Sequence, residues 1–352
     1  MGSLMKIATA HVDLPNETKG GVAAQAHYLA NALTDRGHEV TMFTFSPSFP
    51  ECRYRVHQFT RPKQLRKVSS FLLAARLKQT DFSGFDVLHT HGDNYLLDGR
   101  HPQVRTFHGA AKDEMRSAVT IRRRIHQSVM ISLELRGAAV ADLCVGVSEA
   151  TRSSIPSVEK IIPCGVDTSR FHSGKKSNNP TVLFVGTTEG RKRGQLLADI
   201  FLRDVKPRFP KAELWSVSDK DMTGDGIVNM GRVDFETLTD LFRRAWIFCL
   251  PSTYEGFGVP YIEAMASGTA VVATPNPGAC EVLRGGKDGI VVNDGELGAA
   301  LCSLFEHSAR RKAMETAGIM RAQAFSWNRV AAQYEELYLD LIESNSRSSK
   351  NS

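Results

Sequence analysis

No apolar run in this chain reaches the ~18 residues that would read as a membrane span, and its start lacks the basic, apolar, then small-residue succession of a secretory signal. Residence in the cytoplasm is the expectation that follows, with MGSL ahead of Met5 set aside as a leader. C-x-x-C pairs are missing too: Cys52, Cys144, Cys164, Cys249, Cys280 and Cys302 are scattered through apolar and turn contexts. Buried free thiols are expected, not a disulfide frame. A dinucleotide site in the first half is disfavoured, because no G-x-G-x-x-G follows the first apolar strand.

Acidic residues are in short supply only in the first half. Residues 1–175 carry 23 Lys and Arg against 16 Asp and Glu, a balance of +7, whereas 176–352 carry 21 against 22. No stacking motif or nucleic-acid module accompanies the basic excess, so nucleic acid is not an expected partner. With 352 residues, 42% hydrophobic and 23% charged, the chain is a globular protein long enough for two cores.

What is present is strand–helix alternation. A β-branched and apolar run at 5–14 is followed by a loop with Gly20 and Gly21, then by 22–37, where Val22, Ala26, Leu29 and Leu33 recur at helical spacing. Strands are expected at 38–45, 85–91, 103–109 and 142–148. The pattern restarts at 180–186 and continues with a helix at 194–209, a strand at 212–218, a helix at 234–245 and a strand at 246–252. A helix beginning at Pro260 and strands at 269–275 and 289–294 complete it. Such alternation predicts an α/β protein of two doubly wound parallel sheets, with ligands beyond the carboxyl ends of the strands in a cleft between the halves. The polar stretch 169–180 is the expected linker, giving domains at 1–170 and 171–327. A last helix from 328 is expected to cross back to the first domain, with 344–352 disordered.

The stretch 251-PSTYEGFGVPYIEAMASG-268 concentrates chemistry. Its glycines permit a tight turn with exposed amides, and Pro260 suits the first position of a helix whose amino end would attract an anion. Glu255 and Glu263 could be an acid–base pair, two holders of a hydroxyl-rich ligand, or a solvated carboxylate and a helix-charging one. The loop 186-GTTEGRKRG-194 offers Arg191, Lys192 and Arg193 before a helix, where cations would stabilise a departing diphosphate. A solvated basic loop is the competing reading. Asp219-Lys-Asp221 spells D-x-D but follows the wrong strand for a metal site and reads as a turn. Two segments, 61-RPKQLRKVSSFLLAARLK-78 and 121-IRRRIHQSVMISLELRG-137, mix basic and apolar residues. They are either helices packed on the sheet or amphipathic contacts with an anionic membrane surface.

P-S-x-x-E-G-F-G-x-x-x-x-E-A-M-A-x-G closely resembles the signature of the retaining GT-B glycosyltransferases of family 4. Supporting pieces run along most of the chain: 86-DVLHTHG-92, 106-TFHG-109, 147-VSEATR-152, 161-IIPCGVDTSRF-171, 278-GACEVL-283 and 325-FSWNRVAAQYEELY-338. The resemblance implies transfer of a sugar from a nucleotide-diphosphate sugar to a hydroxyl acceptor, with retention and without metal or other cofactor. Carried over residue by residue, it implies that Glu263 holds ribose hydroxyls and that Glu255 faces the sugar near the reacting centre. Gly256, Phe257, Gly258 and Val259 would lend backbone groups, and Gly20 and Gly21 would approach the phosphate or transferred group. His108 would stand beside the donor sugar, with His89 and His91 near the same edge. The base is expected against backbone at Gly231, Arg232 and Val233. Thr187 stands where the family has an arginine, so the diphosphate contact is expected to have shifted to Arg191, Lys192 and Arg193. A nucleotide-sugar epimerase, a glycosyl phosphorylase or a catalytically silent nucleotide-sugar sensor are the alternatives.

Overall fold

The computed structural model describes residues 4–15, 21–99, 102–116 and 121–350. The chain divides into two compact units, one made of Met1–Gly165 with Trp327–Ser352 and the other of Val166–Ser326. The first unit holds a sheet of seven strands: β1 Lys6–Ala10, β2 Glu39–Thr44, β3 Arg55–Gln58, β4 Val87–Thr90, β5 Gln103–Phe107, β6 Leu143–Gly146 and β7 Lys160–Ile161. Their spatial order is β3-β2-β1-β4-β5-β6-β7, and every pairing is parallel. The second unit holds β8 Thr181–Val185, β9 Glu213–Val217, β10 Ile227–Asn229, β11 Ile247–Leu250, β12 Ala270–Ala273 and β13 Ile290–Val291 in the order β10-β9-β8-β11-β12-β13, again all parallel.

Central strands are buried along their length because helices cover both faces, which is why they read as continuous apolar runs and not as alternating ones. In the first unit the Val22–Asp35 helix contributes Leu29 and Leu33. The Trp327–Lys350 helix lays Val330, Tyr334, Leu337 and Tyr338 on the same core, with Ile7, Val40 and Met42 of the sheet beneath. Two hydroxyls of that last helix reach inside: Tyr338 Oη lies 2.6 Å from His89 Nδ1 and Tyr334 Oη lies 2.9 Å from Thr106 Oγ1.

Some expectations change. The 169–180 stretch is not a free linker: Phe171 is buried edge-on to Phe235 and Phe242, and Lys176 Nζ lies 2.8 Å from Thr269 Oγ1, so this segment packs on the second unit. The passage between units instead falls at Gly165–Val166, where Gln25 holds both backbone groups of Gly165, at 2.9 and 3.0 Å. The expected disordered tail remains helical to Lys350, extended by an Arg347–Glu343 pair one turn apart and by Ser344 and Ser346 hydroxyls bonded to the preceding turn. Cys280 is exposed, because its short helix Pro277–Val282 turns Gly278, Ala279 and Val282 inward. Cys52 is half-buried, and the other four cysteines are buried free thiols.

Candidate functional site

In the second unit the chain leaves β8 and β11, adjacent parallel strands, through two loops that are laced together. Arg191 O accepts from Thr253 N–H at 2.9 Å and from Ser252 Oγ at 3.1 Å, while Arg191 Nη1 donates to Tyr254 O at 2.5 Å. The centre of the lacing is Glu255. Its side chain is 7% exposed, and its Oε1 stands 2.7 Å from each of Arg191 Nη1, Lys192 Nζ and Ser252 Oγ. Among the described residues Oε2 has no hydrogen-bond partner. One carboxylate oxygen therefore collects two cations and a hydroxyl, and the other is left for something else.

Arg193 behaves differently from its neighbours. Its backbone is left-handed, with φ at 54°, which sends the side chain away from Glu255. There it donates to Pro251 O at 2.6 Å and forks onto Asp294 at 2.7 and 2.8 Å. Of the three cations, Arg191 and Lys192 meet at Glu255, and Arg193 braces Pro251 O and Asp294. Thr187 bonds its own turn, Oγ1 to Glu189 O at 2.8 Å, and does not replace an arginine.

Gly258, at φ 95°, ends the loop, and the Val259–Ala266 helix follows with Pro260 in its first turn. Glu263 sits on that helix, close enough to Lys192 for their charges to interact. Burial pushes its carboxyl up to about 7, and the Lys192 ammonium opposes the shift. Lys192 is itself lowered, by burial first and against the pull of Glu255. Among the described residues no hydrogen bond reaches the Glu263 carboxylate. The side chain is half-buried, and a carboxylate in that position has room to accept two hydroxyls supplied by a ligand.

The loop is held from behind by residues that sequence reasoning passed over. Asn276 caps the Pro277–Val282 helix and donates to Ser252 O at 3.1 Å, as Thr274 Oγ1 does at 2.9 Å. Gly278 N–H donates to Glu255 O at 3.0 Å. An Asn directly before Pro-Gly, read as a helix cap, was the available signal. The D-x-D stretch is a turn: Asp219 Oδ1 accepts from Thr188 N–H at 2.9 Å. Gly231, Arg232 and Val233 lie between β10 and the Asp234-capped helix Phe235–Arg244.

In the first unit, β1, β4 and β5 are neighbours, and the residues just past their carboxyl ends are His11, His91 and His108. Gly21 caps the Val22–Asp35 helix, and Gly20 lies outside the described residues. His91 Nδ1 and His108 Nε2 are 3.0 Å apart. His89 is a structural residue, saturated by Thr106 at 2.8 Å and Tyr338 at 2.6 Å. All three imidazoles are lowered, chiefly by burial: His108 adds to the effect on His89, the other two and His11 add to it on His91, and His11 and Arg105 add to it on His108, which like His89 falls to about 3. A depressed folded pKa means that the unfolded chain takes the proton first. The contributions of neutral His89 and His108 are therefore complete above pH 6.5 and are lost as pH falls toward 3, by up to about 1.4 kcal/mol per pH unit each. His89→Gln should cost stability at pH 7, and the gap to wild type should narrow by about 2 kcal/mol by pH 5. Urea unfolding at the two pH values measures it, and a constant gap would refute a neutral His89.

Comparison with known proteins bears on the whole chain. The description Glycosyltransferase Family 4 matches residues 19–170, and Glycosyl transferases group 1 matches residues 179–307. The phosphatidyl-myo-inositol mannosyltransferase of Mycolicibacterium smegmatis is 28% identical over 92% of this chain and 90% of its own length. Its counterpart in Mycobacterium tuberculosis is 27% identical over 92% and 93%. Sucrose-phosphate synthase from Thermosynechococcus elongatus superposes with a TM-score of 0.78 at 21% identity, covering 97% of this chain and 100% of the other. Anabaena HepE in complex with UDP and glucose gives 0.73 at 17% identity, covering 95% and 99%. With two adjoining family descriptions, relatives aligned along nearly its whole length and solved structures of the same fold, the chain belongs to the family 4 glycosyltransferases, glycosyl transferases group 1, and has their two-domain GT-B fold.

Proposed function

We propose that this protein transfers a glycosyl group from a nucleotide-diphosphate sugar to a hydroxyl acceptor, with retention at the anomeric carbon and without a metal ion. The observation that carries this reading is the division of labour around Glu255: Oε1 gathers Arg191, Lys192 and the Ser252 hydroxyl, and Oε2 bonds none of the described residues. The two cations suit a diphosphate, whose charge grows as the glycosidic bond breaks, so that they favour the transition state over the ground state. Glu255 Oε2 suits the sugar, acting by orientation and electrostatics. Glu263 suits the ribose diol, whose two O–H groups would supply donors that its half-buried carboxylate lacks among the described residues. Departure and attack on one face, with the leaving phosphate taking the acceptor proton, need no enzymic nucleophile. The mannosyltransferase relatives make mannosyl donors the first to try.

A thermal-shift screen of UDP-, GDP-, ADP- and dTDP-sugars is expected to single out one base, since a ligand at 100 times its Kd stabilises by about 2.7 kcal/mol. Calorimetry with that donor should show Glu263→Gln binding about 10- to 100-fold more weakly, the loss of charge-assisted hydrogen bonds. The ionised carboxylate is the binding form, so wild-type affinity should fall as pH drops through about 7, and the variant should not follow it. Equal affinity in both proteins would sink the ribose role. NMR of the anomeric product tests retention, and a rate that collapses with chelator would count against metal independence.

The acceptor side also carries a surface observation. Leu65, Val68 and Phe71 are 40–43% exposed on the run formed by Lys63–Val68 and the Ser69–Lys78 helix, beside Lys63, Arg66 and Lys67, while Leu73 and Leu77 face the core. Apolar side chains ringed by cations match an anionic bilayer surface, which fits a lipid-linked acceptor. No described helix is long and apolar enough to cross a membrane. Co-sedimentation with vesicles containing phosphatidylserine should be strong at low salt and should drop several-fold for Val68→Ser with Phe71→Ser. Equal binding to neutral vesicles would overturn the electrostatic part.

A further inference from the structure

His91 and His108 share one hydrogen bond, and their outer nitrogens, His91 Nε2 and His108 Nδ1, are buried without a partner among the described residues. The chemistry of a neutral imidazole makes this informative. Each ring has one N–H and one bare nitrogen, so the shared bond couples the two tautomers. If His91 Nδ1 donates, His108 Nε2 is bare and its one proton sits on Nδ1, where Nδ1–H is the orphan. If His108 Nε2 donates, Nδ1 of His108 is bare and His91 Nε2–H is the orphan. Neither arrangement satisfies both outer nitrogens, and a buried orphan is costly. Protonating both rings is no escape, because two N–H groups would then face each other across the 3.0 Å contact. The surroundings also oppose charge: His89 lies 4.3 Å from the His91 ring, His11 faces both imidazoles, and Arg105 acts on His108. Both histidines line one pocket with Gln25, Cys164 and Tyr334.

We propose that His91 is a positioning residue which accepts the His108 Nε2–H and so holds His108 with Nδ1 bare, as the hydrogen-bond acceptor for a substrate hydroxyl. The inference rests on the glycosyl-transfer reading above. A substrate alcohol is the group that needs an acceptor there, and in accepting its O–H, Nδ1 would fix the direction of the oxygen lone pair. The hydroxyl belongs either to the transferred sugar or to the acceptor, and the two share this chemistry.

The test has two arms. In the free protein, 15N chemical shifts of His108 should show Nε2 protonated and Nδ1 bare, and the opposite assignment would overturn the proposal whatever the substrate proves to be. For catalysis, His91→Asn places an amide oxygen near the position of Nδ1 and should keep most of the turnover. His91→Leu should lose about 10²-fold in kcat/KM. A larger rise in the KM of the donor places the hydroxyl on the sugar, and a larger rise in the KM of the second substrate places it on the acceptor. Asn and Leu variants of equal activity, high or low, would refute the positioning role. Absence of transfer by wild type on every donor would refute the functional reading instead, leaving the NMR result to stand.

Discussion

Glu255→Ala is expected to lower turnover by about 10²- to 10³-fold, the usual effect of removing one preorganised electrostatic contact at a reacting centre, and to destabilise the second unit as well. The second effect follows from what Oε1 holds. Lys192 is 15% exposed and takes its strongest stabilisation from Glu255, so the truncation strands a mostly buried ammonium. Removing one partner of a buried pair costs about 3–5 kcal/mol. Lys192 is already lowered by burial and can shed its proton, which caps the loss at the low end of that range. Arg191, 39% exposed, keeps its bond to Tyr254 O and adds little. The stability loss should therefore shrink as pH rises, because Lys192 neutralises, and a second substitution, Lys192→Met, should recover stability without recovering activity. Glu255→Gln should fall between in stability, since its amide oxygen still accepts from Ser252. Urea midpoints and steady-state rates measure both effects. A Glu255→Ala protein with wild-type stability would contradict the buried ion cluster, and one with wild-type turnover would contradict the proposed role at the sugar.

How much of this was visible before the fold depends on what each residue leans on. The helix from Val259 and the spacing of Glu255 and Glu263 were legible because glycine, proline and glutamate each have a local reason for their place in a strand–turn–helix unit. Both parallel sheets were legible from continuous apolar strands. β3, β7 and β10 were not: RVHQ, KI and IVN are short, half-exposed edges that show neither a buried run nor a period. Which cation in Arg191-Lys192-Arg193 turns aside was also hidden. Three like charges are equivalent to any motif, and the choice is made by a left-handed backbone at Arg193 and by Asp294, 101 residues away. The His91–His108 bond depends on the register of β4 against β5, a relation between strands that no local pattern encodes.

The same dependence on distant chain explains why Gly278, outside the glutamate motif, should be as sensitive as the glutamates. A Cβ at this position would stand 2.4 Å from Phe257 O, 2.7 Å from Phe257 C and 2.9 Å from Glu255 O, all of them backbone atoms that no rotamer change can move. Gly278→Ala must therefore push back the 255–257 backbone or displace its own helix, and either movement strains the 3.0 Å bond from Gly278 N–H to Glu255 O. Overpacking of this kind costs about 1–3 kcal/mol. The larger effect is geometric. Displacing Glu255 by about 1 Å pulls Oε1 away from Arg191 and Lys192 and misaims Oε2, a scale of error that costs about 10²-fold in rate. Turnover should fall by that factor while the fold survives, and Gly278→Ser should behave likewise, since the clash is with the first side-chain atom and not with polarity. Circular dichroism, urea midpoints and kcat/KM on the identified donor would separate the two effects. If Gly278→Ala retained full activity, the backbone of 255–257 would have room to move without loss, and the rigid positioning of Glu255 assigned to it would fail.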